Sequence, residues 1–210
     1  MDISGLSFEL ANIVMLFQNL KSAKVSRDSI LGLYENSRPE HFDVGPLFVV
    51  RHPGQKIEIY VFIDENRVET KILNPSNTDW TELPKVAFKV FHAIDGAPLA
   101  AFGFNYFAEV PLPQSQDGDQ FLIDKFDASL KPLAQQVGGK IFSIASTVKY
   151  SKNEETHELR IGTKAGNAKI LSLRLNVHYN KAQLFAERDL IEKYSVHKDN
   201  FIETIKRLFN

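Results

Sequence analysis

Cysteine is absent from all 210 positions of the chain, which excludes disulfides, thiolate zinc sites and thiol nucleophiles. A surplus of either charge is also missing: 25 lysines and arginines face 26 aspartates and glutamates. Proteins that grip nucleic acid neutralise its phosphates with a basic excess or stripe, so nucleic acid is not the expected partner. Long apolar runs are missing too. The stretch Ile13-Val14-Met15-Leu16-Phe17 falls far short of the roughly 20 residues of a membrane span, and no membrane partner is expected. Met1 is followed by Asp2-Ile3-Ser4-Gly5 rather than by a basic and then an apolar segment, so no secretory leader is read and the expected location is cytoplasmic. Tryptophan occurs once, whereas phenylalanine occurs sixteen times within a 43% hydrophobic composition, enough to fill a sizeable core.

What is present is strand periodicity. A long strand is predicted near Ser7–Leu20, then a short helix capped by Ser26 that carries Ile30, Leu33 and Tyr34 and ends at Arg38-Pro39. Leu47–Arg51, a strand in which Ile57, Ile59, Val61 and Ile63 alternate with Glu58, Tyr60, Phe62 and Asp64, and Val68–Leu73 form a meander. Its first two strands are joined at Pro53-Gly54 and its last two at Asp64–Arg67. Thr81 is the predicted cap of a helix with Pro84 in its first turn, stopped by Asp95-Gly96. The second half repeats this order. A strand over Leu99–Val110 precedes a helix capped by Asp119, kinked at Pro132 and ended by Gly138-Gly139. Strands over Lys140–Tyr150, Glu158–Thr163 and Lys169–Tyr179 follow, then helical turns at Leu184–Tyr194 and Val196–Leu208. The predicted fold is α+β: two β-α-β-β-β-α repeats, residues 1–95 and 96–210, sharing one antiparallel sheet in a single domain with helices on one face.

Chemistry-bearing motifs are few. Histidines lie at positions 41, 52, 92, 157, 178 and 197, and none forms H-x-H, H-E-x-x-H or H-x₃-H. A metal site would need ligands from distant segments, so no metal is assigned. Glu154-Glu155 and Asp117/Asp119 are read as solvated loop carboxylates. Gly162-Thr163-Lys164-Ala165-Gly166-Asn167 has Lys and Thr in the reverse of phosphate-loop order and reads as a hairpin turn, so no cofactor is assigned. No G-x-S-x-G elbow occurs, and no catalytic residue is named.

Two patterns point to interaction. Phe102-Gly103-Phe104-Asn105-Tyr106-Phe107 is apolar on both sides, which suits a central strand or a subunit interface. Tyr60 and Phe62, with Phe142, Ile144 and Val148, place bulky groups on the nominally outer face, where a second copy or an apolar peptide would cover them. The expected function is therefore that of a non-enzymatic, self-associating interaction module, a homodimer through the sheet. The alternatives are a chaperone-like or antitoxin-like binder of extended apolar segments, or a small-molecule binder or enzyme with a pocket between the repeats. For that last alternative the residues to watch are Arg160, Arg174, His178 and Asn105, polar groups on predicted strands.

The run from Gln55-Lys56-Ile57-Glu58-Ile59 through Trp80-Thr81-Glu82-Leu83 to Phe102-Gly103-Phe104-Asn105-Tyr106-Phe107 resembles a large bacterial family of unknown function. In that family a meander and a helix lead to a strand with a glycine, an aromatic and an asparagine; an aromatic here replaces the family's basic residue around Phe104. Asp2-Ile3-Ser4 with Leu6-Ser7-Phe8-Glu9, and Gly139-Lys140-Ile141-Phe142-Ser143-Ile144, are similar to short stretches of the SecB export chaperones, which lack a helix after their first strand. Neither resemblance implies catalytic residues.

Overall fold

Side chains two apart share a face of a strand, so the alternating apolar residues of this chain can be buried together only by pairing strands. The computed structural model describes residues 5–33, 40–51, 56–126, 145–152 and 154–209. Nine strands form one antiparallel sheet: β1 (Ser7–Phe17), β3 (Glu40–Val44), β4 (Leu47–Arg51), β5 (Ile57–Phe62), β6 (Arg67–Leu73), β8 (Leu99–Pro111), β9 (Ala145–Lys152), β10 (Glu155–Lys164) and β11 (Asn167–Tyr179). Their spatial order is β3-β4-β5-β6-β1-β8-β11-β10-β9. Two short strands, β2 (Lys24–Val25) and β7 (Ile94–Asp95), pair separately. The helices are α1 (Arg27–Leu31), α2 (Asp79–His92), α3 (Gly118–Phe126) and α4 (Glu187–Phe209). Among the described residues no helix is long and apolar enough to cross a membrane.

The aromatic segment proves to be central. β8 lies between β1 and β11, with Ile13 opposite Phe104 on one side and Val177 opposite it on the other. Phe102, Phe104 and Tyr106 are buried under α2 and α4: Tyr194 of α4 meets Phe104 at 5.3 Å and Tyr106 at 5.0 Å between ring centroids. Trp80 of α2 reaches the same cluster, 4.8 Å from Phe8 and 6.1 Å from Tyr194. Burying an aromatic side chain of this kind contributes roughly 1.5–3 kcal/mol. The Tyr106 hydroxyl donates to the Tyr194 carbonyl at 2.7 Å, so its burial leaves no polar group stranded. Gly103 sits where β8 and β11 approach closely; a Cβ there would lie 2.9 Å from the Val177 carbonyl oxygen.

Several boundaries differ from the sequence reading. Ser26 does cap α1, its hydroxyl accepting from the Ser29 amide at 3.3 Å. α2 begins at Asp79, before Thr81, which places Pro84 beyond the first turn; Asp79 ties the start by accepting from the Ser76 amide at 2.6 Å. Asp117 rather than Asp119 caps α3, accepting from the amides of Asp119 and Gln120 at 3.1 and 3.2 Å. β3 was not anticipated; Gly45, with φ 62°, turns the chain between it and β4. β10 starts at Glu155 rather than Glu158, because Glu155 already pairs with Lys152 of β9 and Tyr179 of β11. The two C-terminal helical segments are one continuous helix, α4. Tyr34, the stop at Arg38-Pro39, the Pro53-Gly54 turn, the Pro132 kink and the Gly138-Gly139 stop lie outside the described residues.

Candidate functional site

The residues singled out for interaction divide. Tyr60 and Phe62 stand on the sheet face away from α2 and α4, half-buried and stacked on each other at 5.9 Å. Cations of the neighbouring strand cover both: the Arg67 guanidinium lies 3.8 Å from the Phe62 ring centre and the Lys71 ammonium 4.3 Å from that of Tyr60. Val148 does not join them. It pairs with Leu159, and directly paired residues share a face, so Val148 projects on the helix side, 55% exposed. Its outer-face assignment in the sequence is thus corrected by the pairing register, and residues 140–144 of the same predicted strand lie outside the described residues. Phe142 and Ile144 fall in that same segment.

The polar strand residues Arg160, Arg174, His178 and Asn105 do share the outer face. Arg160 pairs with Arg174, Asn176 with Asn105, and His178 with Gly103. Three asparagines form a ladder across the middle of the sheet: Asn176 donates to Asn105 at 2.6 Å, Asn105 to Asn12 at 2.7 Å, and Asn12 to Glu69 at 2.7 Å. Each side-chain amide in the ladder donates to the oxygen of the next, which lets Asn12 and Asn105 be buried.

The most concentrated chemistry lies on the helix side, and sequence reasoning missed it. Glu155 and His157 are two apart on β10, so both point under α4. Tyr179 of β11 is the direct partner of Glu155. His197 occupies the buried stripe of α4 formed by Leu190, Tyr194, His197, Phe201 and Ile205, at the spacing that keeps one helix face inward. The four side chains meet. His157 Nε2 lies 3.0 Å from Glu155 Oε2, the Tyr179 hydroxyl donates to Glu155 Oε1 at 3.0 Å, and His197 Nε2 lies 2.7 Å from that hydroxyl and 3.6 Å from Glu155 Oε1. Tyr150 of β9 stacks on His157 at 4.7 Å. A cavity of about 230 Å³ opens beside them, its rim including Lys152, Thr204 and Arg207.

Hydrogen positions follow from donor arithmetic. A single Tyr179 proton serves Glu155 Oε1, so the hydroxyl oxygen accepts from His197 Nε2–H; His157 Nε2–H serves Oε2. His157 Nδ1 is then left buried with no partner among the described residues. Burial lowers the His197 pKa to about 4, and its neighbour His157 pushes the same way against the pull of Glu155, so the imidazole is neutral at neutral pH. Burial alone would raise the Glu155 carboxyl; the His197 imidazole and the hydrogen bonds from Tyr179 and His157 outweigh it and hold the group below the usual carboxylate range. Burial, reinforced by the Glu155 charge, pushes the Tyr179 phenol well up, so it stays a donor.

An anionic carboxylate beside the neutral His197 imidazole is the charge state in which such groups ligate a divalent metal ion. One donor atom from each of Glu155, His157 and His197 lies within 4.8 Å of the others. Around an ion with bonds of about 2.0–2.1 Å, tetrahedral ligand atoms sit roughly 3.3 Å apart; Glu155 Oε2 is 3.0 Å from His157 Nε2 and its other oxygen, Oε1, is 3.6 Å from His197 Nε2, so a small rotation of the carboxylate would bring one oxygen to both rings. The sequence signal was Glu155-x-His157, two potential donors on one strand face, and it was hidden by reading Glu155 as loop. No protein-family model matches the chain, and no curated protein is similar to it.

Proposed function

We propose that the chain is a binding protein for a divalent transition-metal ion, held by Glu155, His157 and His197. The observation that carries this reading is the convergent donor set itself: one ligand atom each from the part-buried Glu155 and the buried His157 and His197, all within 4.8 Å of one another. Three protein ligands leave at least one position of a tetrahedral ion for a water or a small ligand from the cavity. Tyr179, donating to Glu155, would orient the carboxylate as an outer hydrogen-bond partner. The test is calorimetric titration of chelator-treated protein with Zn²⁺, repeated with Co²⁺ to follow d–d absorption. One ion per chain is expected, with affinity lowered by about 100-fold in His157→Ala and again in His197→Ala. Equal binding by wild type and both variants would refute the reading.

The architecture is read in the same spirit as two β-α-β-β-β-α units in two layers. Its support is the mirrored order β4-β5-β6-β1 against β9-β10-β11-β8, in which each unit places its first strand next to its last. A second functional reading, the self-associating module, draws support from the far edge of the sheet. β9 has an unpaired outer edge among the described residues, and Val148 and Tyr150 on it are 55% and 45% exposed. An extended peptide could add to the same edge, as the chaperone-like alternative requires. A sedimenting monomer at micromolar concentration would remove self-association.

A further inference from the structure

Arg160 and Arg174 are direct cross-strand partners, one on β10 and one on β11, on the face opposite the metal-ligand cluster. Like charges directly opposite each other destabilise a sheet unless something neutralises them. The nearby carboxylates make their ion pairs elsewhere, Glu158 with Lys149 at 2.8 Å and Glu109 with Lys164 at 2.6 Å, and Glu158 meets the two arginines only through space, their charges helping to hold its carboxyl below the usual range. Among the described residues neither guanidinium is in an ion pair; Arg174 instead rests 4.8 Å over the Phe107 ring, which fixes its plane. The two flank a hollow of about 230 Å³ with Ser172 and Gly162 in its walls and no carboxylate lining it. Arg174 also borders a neighbouring hollow of about 250 Å³ that contains Asn105, Asn176 and His178 above Gly103.

Glycine floors, a hydroxyl and two guanidiniums that are in no ion pair among the described residues, and share only the through-space charge of Glu158, make a concave surface suited to an anion. We propose that Arg160 and Arg174 clamp an oxyanion, the phosphate or carboxylate group of a small molecule. The planar forks can each offer two parallel N–H donors to such a group, and Ser172 supplies a third, neutral donor. The body of the ligand extends toward Asn176 and His178 of that hollow, above the buried Asn105, whose amide already serves the ladder. This site is independent of the metal reading, being on the other side of the sheet.

The experiment is thermal unfolding at fixed ionic strength with chloride replaced stepwise by inorganic phosphate in one arm and by citrate in the other. Wild type should gain stability saturably in at least one arm, and the responding arm identifies the anion class. Arg160→Gln and Arg174→Gln should each raise the apparent dissociation constant about tenfold or more, a loss of about 1.4 kcal/mol. Each should also be no less stable than wild type without the anion, since the repulsion is gone. Arg67→Gln, whose guanidinium is already paired with Glu65 and Glu69, should respond like wild type. A response of equal size in all four proteins, or none in either arm, would overturn the proposal.

Discussion

The two sides of the β1–β8 seam, β3-β4-β5-β6-β1 and β8-β11-β10-β9, handle polar and charged groups differently. On the β4–β6 side every outer-face cation named above is matched: Arg67 by Glu65 and Glu69, Lys71 and Arg51 by Glu58. Behind it, the helix side of β5 and β6 is apolar apart from Thr70, whose buried hydroxyl has no partner among the described residues. On the β9–β11 side the outer face carries Arg160 and Arg174, neither in an ion pair among the described residues, and the helix side carries Glu155, His157, Tyr179 and His197. One side therefore reads as scaffold. The other holds spare coordinating and charge-pairing capacity, which is costly to retain for stability alone.

This comparison can be broken or sharpened by experiment. The largest effect is expected from Trp80→Ala. Trp80 belongs to α2, yet its ring packs against Tyr106 and Tyr194 across the seam. Removing it should cost about 3–5 kcal/mol and lower a single unfolding transition seen by circular dichroism. Two separated transitions would show that the sides are energetically independent. The next effect is pH. The unfolded chain takes up the His197 proton near 6.5 and the folded chain only near 4, so between those values the unfolded state binds more protons. Stability should fall as pH drops from about 6.5 to about 4, by on the order of 3 kcal/mol. The lowered Glu155 carboxyl extends the loss to lower pH. Urea melts of His197→Gln should show a flatter profile over that window; an unchanged profile would place the acid sensitivity elsewhere. The smallest effect probes the seam. Asn105→Ala strands the buried Asn12 oxygen and removes the acceptor of Asn176, and should cost about 1–3 kcal/mol in the same assay.

Much of the architecture could be read in advance because it rests on local signals. The alternation Ile57, Ile59, Val61 and the matching run Leu171, Leu173, Leu175, Val177 fixed which residues face inward. The aromatic strand read as core lies at the centre of the sheet. The site was harder for a physical reason. Its groups come from β10, β11 and α4, and only pairing across strands brings Tyr179 to Glu155. His197 sits in an apolar stripe, where periodicity makes it look like ordinary helix core. Glu155 follows a polar run of the kind that fills loops, so nothing local marked it as strand. The outer aromatics misled in the opposite way: Tyr60 and Phe62 looked uncovered because their covers, Lys71 and Arg67, approach from the next strand.

The position of β8 has a consequence for synthesis. Its two neighbours, β1 and β11, lie far apart in sequence, one finished long before β8 is made and the other completed only at Tyr179. As the chain leaves the ribosome, β8 can dock on β1 at once, but its second edge then stays open while the segment up to β11 is translated. That interval exposes the most aromatic strand of the molecule as a template for stray pairing. The Asn105 side chain, placed mid-strand at this edge, leaves an unmet polar group for any intruder that lacks the Asn176 amide.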